Sequence, residues 1–160
     1  MLGGFFQRHK RQSADLLNSK LYSDKTFYRA FEKDLARCKY EAIIESPFMT
    51  TRRTEKLLPL FRKAIKRRVR VIVITRDPYE HGPPYDGFAI DAIAELQSIS
   101  VEVIYIGKHH RKLALFDRQI LWEGSLNILS QNDSCEIMRR MHSKDLAMEM
   151  IRFLQLGRYI

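Results

Sequence analysis

His110-Arg-Lys-Leu-Ala-Leu-Phe-Asp-Arg-Gln-Ile-Leu-Trp-Glu-Gly-Ser-Leu-Asn127 is the stretch that decides how this chain is read. Two apolar runs, residues 111–116 and 119–122, flank a two-residue Asp117-Arg118 step, which is the pattern of a tight antiparallel hairpin. Side chains alternate along a strand, so His110 and Lys112 share a face and bring an imidazole and an ammonium into one space. His109 points the other way and is read as a surface or packing residue. At the end of the second run Gly124 lets backbone approach a ligand closely, while Ser125 and Asn127 add hydrogen-bonding capacity. The set suits a phosphate: Lys112 supplies charge, Ser125 and Asn127 orient non-bridging oxygens, and a neutral imidazole can attack phosphorus.

Upstream, helical and strand periods alternate. Asp24 is placed to cap a helix over residues 24–39, where Phe27, Phe31, Leu35 and Cys38 recur as one stripe. Residues 41–46 form a short apolar run stopped by Ser46-Pro47. Residues 51–68 return to a helical period, with Pro59 either in the first turn or kinking the helix. Residues 69–75 are β-branched almost throughout, as a strand covered on both faces tends to be. Residues 77–87 carry three prolines and two glycines and read as a long loop, either a lid or a dimer contact. A helix over 88–98 and a buried strand over 101–106 follow. Downstream, residues 126–130 open a short helix, 135–141 form a further strand, and a helix over 145–155 closes the chain before Gly157. This alternation predicts an α/β fold with a mixed, partly parallel sheet flanked by helices on both faces. Residues 1–22 show no period and carry Arg8, Lys10, Arg11 and Lys20, so they read as a basic arm on a single domain over 23–160.

Composition narrows the partners. At 160 residues with 45% apolar content the chain builds one core, and a formal charge of +9 favours a polyanion, nucleic acid before anionic membrane. Cys38 and Cys135 show no metal-ligand spacing, which argues against structural zinc or a disulfide framework and fits a reducing, cytoplasmic setting. No apolar run approaches the ~20 residues of a membrane span, and no membrane partner is expected.

The segment resembles the phospholipase D superfamily, whose signature His-x-Lys-x4-Asp-x6-Gly-Ser-x-Asn is met at His110, Lys112, Asp117, Gly124, Ser125 and Asn127. Glu136 stands where the family places an acid, and the resemblance spans about residues 24 to 156, including the strand end Glu45-Ser-Pro-Phe48. Residues 122–130 are similar to the nuclease-like branch, including modules attached to DNA helicases. The resemblance implies a phosphodiesterase that uses no metal or other cofactor and works through a phosphohistidine. It makes His110 the nucleophile in one copy and the general acid in the other. Lys112, Asn127 and, more weakly, Ser125 bind phosphate, Glu136 orients the His110 ring, and Asp117 and Gly124 are structural.

Such chemistry needs a second motif. His142-Ser-Lys144 starts like one, but Glu149 stands where the aspartate belongs and no Gly-Ser follows. A homodimer sharing one site across a two-fold axis is therefore expected. Arg52, Arg53, Lys63, Lys66 and Arg67, with Arg62, Arg68, Arg70 and the arm, are read as a surface that tracks nucleic-acid phosphates. The leading reading is a nuclease acting on DNA or RNA, with a helicase or other DNA-processing partner. The alternatives are a phospholipase or phosphatidyl transferase, and a binding module without turnover.

Overall fold

The structure is a computed structural model that describes residues 14, 16–80, 82–130 and 133–160. Most of the predicted basic arm lies outside the described residues, as does His81 of the proline-rich loop. Seven strands form one mixed sheet in the order β1-β7-β6-β5-β2-β3-β4. They are β1 (Lys20–Ser23), β2 (Glu41–Glu45), β3 (Arg70–Thr75), β4 (Glu102–Tyr105), β5 (Leu113–Phe116), β6 (Ile120–Gly124) and β7 (Ile137–His142). Strands β2, β3 and β4 pair in parallel, joined by helical crossovers, and the other pairings are antiparallel. The helices are α1 (Asp24–Arg37), α2 (Thr51–Lys66), α3 (Tyr85–Ser98) and α4 (Lys144–Phe153).

Strand alternation sorts the core into two layers. Ala42, Ile44, Val71, Val73, Ala114, Phe116, Trp122 and Met138 meet the apolar stripes of α1, α2 and α3 on one face. Ile43, Ile72, Ile74, Leu115, Leu121 and Met141 meet Ala147 and Ile151 of α4 on the other. Covering both faces is why β2 and β3 read as unbroken apolar runs. The mixed sheet with helices on both faces is thus the architecture that the alternation predicts.

Several details differ from the expectations. Lys20–Ser23, assigned to the arm, is an edge strand, because its backbone pairs with Ile137–Arg140 and needs little propensity of its own. The N-cap of α1 is Ser23 rather than Asp24, and the Ser23 amide donates to Thr26 Oγ1 at 3.0 Å. Pro59 sits in the interior of α2, and α3 begins at Tyr85, inside the segment read as loop. The strand β4 lies at the sheet edge, with Glu102 and Tyr105 exposed, and is not buried throughout. Residues 126–130 form turns rather than a helix. The closing helix ends at Phe153, and Gln155, not Gly157, takes the left-handed conformation at φ 53°.

Candidate active site

The β5–β6 hairpin forms the frame of the site. Asp117 and Arg118 both have φ near +50°, the geometry of a primed two-residue turn. Asp117 meets that requirement by accepting from the backbone amides of Lys39 (2.9 Å), Tyr40 (2.7 Å) and Glu41 (3.1 Å). Burial pushes the Asp117 carboxyl up, but these amides outweigh it and hold the group below its ordinary value. The turn is thereby fixed to the start of β2, and Arg118 adds a two-point ion pair with Glu41. Asp117 is a structural residue at the far end of the hairpin from His110.

Gly124 ends β6 against β7. A Cβ there would collide with the Ile137 carbonyl oxygen and come within 2.9 Å of Met138 Cα, so only glycine allows this strand approach. Gly124→Ala is expected to cost about 2–4 kcal/mol by forcing the two backbones apart. A urea-unfolding midpoint shift of corresponding size checks it.

His110 and Lys112 precede β5 rather than lying within it, yet the period-two alternation persists through residues 109–112. His110 is exposed, and its Nδ1 lies 2.9 Å from Lys112 Nζ, which also donates to the His110 carbonyl at 2.7 Å. The Phe48 ring stands edge-on to the imidazole at 5.9 Å between centroids. Burial lowers the Lys112 pKa, and the negative Glu136 works against that shift. Glu136 itself accepts from Ser134 Oγ at 2.9 Å. Glu136 accepts no hydrogen bond from the His110 ring in the single chain, where Nδ1 faces Lys112. Ser125 Oγ accepts from the Ile137 amide at 3.2 Å, so the hydroxyl ties β6 to β7 and still has its proton to donate to a phosphate oxygen. Asn127, the last residue of the motif, is half-buried with Oδ1 enclosed and without a hydrogen-bond partner.

Beneath this surface lies a layer the sequence reading missed. Glu45 is fully buried at the end of β2 and receives Arg111 Nε at 2.7 Å, while His109 Nε2 lies 3.7 Å away. Neither ring nitrogen of His109 has a partner in good hydrogen-bond geometry, although an approach to the Ile74 backbone partly opposes the lowering of its pKa. Thus 109 and 111 grip the inside while 110 and 112 face out. The signal available was Glu45 itself, a carboxylate directly after the apolar run Ala42-Ile43-Ile44. Burial raises the Glu45 pKa, partly offset by Arg111, and lowers that of His109 to about 4, reinforced by the charge of Arg111.

The sign of the pH effect follows. An imidazole depressed from ~6.5 in the unfolded chain to about 4 gives stability that is present above pH 6.5 and is lost as pH falls toward 4. The loss reaches up to about 3 kcal/mol for a shift of this size. Glu45 acts in the opposite sense, since a raised carboxyl disfavours the fold as pH rises through its folded pKa. His109→Leu is expected to remove most of the acid loss between pH 6.5 and 4, which urea unfolding at pH 7 and 4.5 checks. His109 is therefore a packing residue and not a surface one.

The basic candidates separate into two groups. The helix α2 runs back along the sheet, so its first turn, with Arg52 and Arg53, lies at the His110 end, near Phe48. Lys63, Lys66 and Arg67 lie at the other end, about 20 Å along the helix. Arg67 donates to the Leu35 and Cys38 carbonyls at 3.1 and 3.4 Å, capping α1, and Arg70 is paired two-point with Glu102. Of the five candidates, Arg52 and Arg53 therefore stand at the Phe48 end of α2, and Lys63, Lys66 and Arg67 at the opposite end.

Comparison with known proteins accords with this geometry. The family described as "Cardiolipin synthase, PLD-like domain" matches residues 31–156. No curated protein matches the chain in sequence. Among solved structures, Nuc from Salmonella typhimurium superposes with a TM-score of 0.70 at 14% identity, covering 86% of this chain and 91% of that one. NucT from Helicobacter pylori gives 0.67 at 16% identity over 86% and 93%. Phosphatidylserine synthase from Haemophilus influenzae gives 0.62 at 10% identity over 88% of this chain and 38% of its own. A family match over most of the chain, on a sheet that sets His110 beside Lys112, places this protein in the phospholipase D superfamily, among its PLD-like domains.

Proposed function

We propose that this chain is a metal-independent nuclease that hydrolyses DNA or RNA phosphodiesters through a phosphohistidine, at a site shared by two copies. The observation that carries the reading is the 2.9 Å approach of Lys112 Nζ to His110 Nδ1 on an exposed surface, within the full motif. A phosphate entering the site draws the Lys112 ammonium onto a non-bridging oxygen, where it stabilises developing charge. With Lys112 withdrawn from Nδ1, the ring exchanges its proton with solvent from Nε2 to Nδ1, where it donates to Glu136, and Nε2 is left with the lone pair that attacks phosphorus. As the P–N bond forms, the bond to the leaving oxygen breaks, and that oxygen takes a proton from His110 of the second copy. Water next attacks phosphorus, gives its proton back to that imidazole, and the P–N bond breaks. Asn127 and the Ser125 proton hold the phosphate oxygens.

The +9 charge and the structural likeness to Nuc and NucT support a polynucleotide substrate, and a helicase or similar partner would supply single strands. The family description and the likeness to phosphatidylserine synthase favour a second reading, a lipid phosphodiester. Labelled single- and double-stranded DNA and RNA, and vesicles of phosphatidylglycerol, are offered in excess chelator, with sedimentation on the same samples. Polynucleotide cleavage by a dimer is expected. Vesicle hydrolysis without polynucleotide cleavage selects the lipid reading, and a requirement for added magnesium sinks the mechanism.

A further inference from the structure

Between the first turns of α2 and the N-terminal half of α3 lies a cavity of about 810 Å³, lined by Thr50, Thr51, Arg52, Arg53, Lys56, Phe88 and Asp91. That volume is in the range of small-ligand sites. Three cations face one carboxylate across it. Arg52 and Arg53 occupy the first turn of α2, which contains no acidic residue, although the positive end of a helix dipole disfavours cations there. Arg53 lies over the Tyr28 ring at 4.0 Å, and the Tyr28 hydroxyl donates to the Ile128 carbonyl, next to Asn127. Arg52 and Lys56 are exposed, and Phe88 is half exposed on the facing wall.

Placement links the cavity to the catalytic face. Phe48 touches the His110 ring, and Thr50, two residues on, lines the cavity, so the two are at most about 7 Å apart along the chain. Thr50 is itself held by its amide bond to the Leu129 carbonyl at 2.9 Å.

We infer that the cavity is a nucleotide subsite next to the cleavage point, with a backbone phosphate of single-stranded polynucleotide between Arg52 and Lys56 and a base against Phe88. The inference rests on the nuclease reading. A concave site with an exposed ring takes an unstacked base, which a duplex does not offer. Asp91 repels phosphate from its own side and accepts from amino groups on the base edge, which fixes the orientation.

The test uses the full chain, Lys56→Ala and Phe88→Ala, a single-stranded DNA oligonucleotide, and bis(4-nitrophenyl) phosphate, a diester too small to reach the cavity. Both variants are expected to raise KM for the oligonucleotide by about tenfold, the scale of one lost stacking or charge contact, and to hydrolyse the small diester as the parent does. Lys56→Ala is expected to lower the salt slope of oligonucleotide binding by about 0.7, and Phe88→Ala to leave it unchanged. Unchanged KM in both variants overturns the subsite while leaving the nuclease reading intact. Equal loss on both substrates also overturns it, because the cavity is then scaffold for the catalytic face. A parent that hydrolyses the small diester but neither binds nor cuts the oligonucleotide, and whose binding to phosphatidylglycerol vesicles needs Lys56, overturns the nuclease reading itself.

Discussion

His110→Ala is expected to lower phosphodiester hydrolysis by at least about a thousandfold while leaving the fold and the proposed dimer intact. The ring is exposed, its neighbours are Lys112 and Phe48, and its removal leaves no buried group without a partner. The loss should fall on kcat, because the proposed mechanism leaves phosphate binding to Lys112 and Asn127. Lys112→Ala removes charge stabilisation and should cost about a hundred- to a thousandfold. Mixing wild type with His110→Ala distinguishes a shared site from two separate ones. After subunit exchange at equal amounts, about one quarter of dimers carry two imidazoles, so activity per wild-type chain halves; independent sites would leave it unchanged.

The largest expected effect on stability lies away from the site, at Asp34. This carboxylate on α1 is 6% exposed and accepts from Trp122 Nε1 at 2.8 Å and from Arg140 Nε and NH2 at 2.7 and 2.9 Å. It ties α1 to β6 and β7 at once. Trp122 is itself fully buried, with Phe27 edge-on at 5.1 Å between ring centroids. Asp34→Ala leaves a half-buried guanidinium and a buried indole N–H unpaired, and a loss of about 3–5 kcal/mol follows. The melting temperature should drop on the order of 10 °C for a chain of this size. Asp34→Asn keeps an acceptor but loses the charge, and should recover part of that loss. Calorimetry on both variants gives the ordering.

These two residues show what was legible before the fold was seen. His110 and Lys112 stand in a motif whose spacing does the geometric work, since the two-residue turn at Asp117-Arg118 and the strand period leave one way to arrange the hairpin. Asp34 is three residues after Phe31 and shares its stripe, so a carboxylate on an apolar face was visible, but its partners 88 and 106 residues away were not. The buried Glu45–Arg111–His109 layer escaped for the same reason. Strand register sets Glu45 opposite Leu113, and no local pattern encodes that pairing. The edge strand Lys20–Ser23 was missed because its order comes from β7. The basic residues of α2 looked like one surface, because a run of cations in sequence says nothing about which end of a 16-residue helix faces the site.

The most direct test of the central claim is capture of the covalent intermediate. The full chain is mixed in excess chelator with polynucleotide labelled at its phosphates, quenched in alkali, and digested to find the labelled peptide. A phosphohistidine survives alkali and is released by acid, so acid-labile label on the peptide containing His110, absent from His110→Ala, is the result expected. Steady cleavage by the wild type with no label on that peptide, or cleavage that starts only when magnesium is restored, would contradict it.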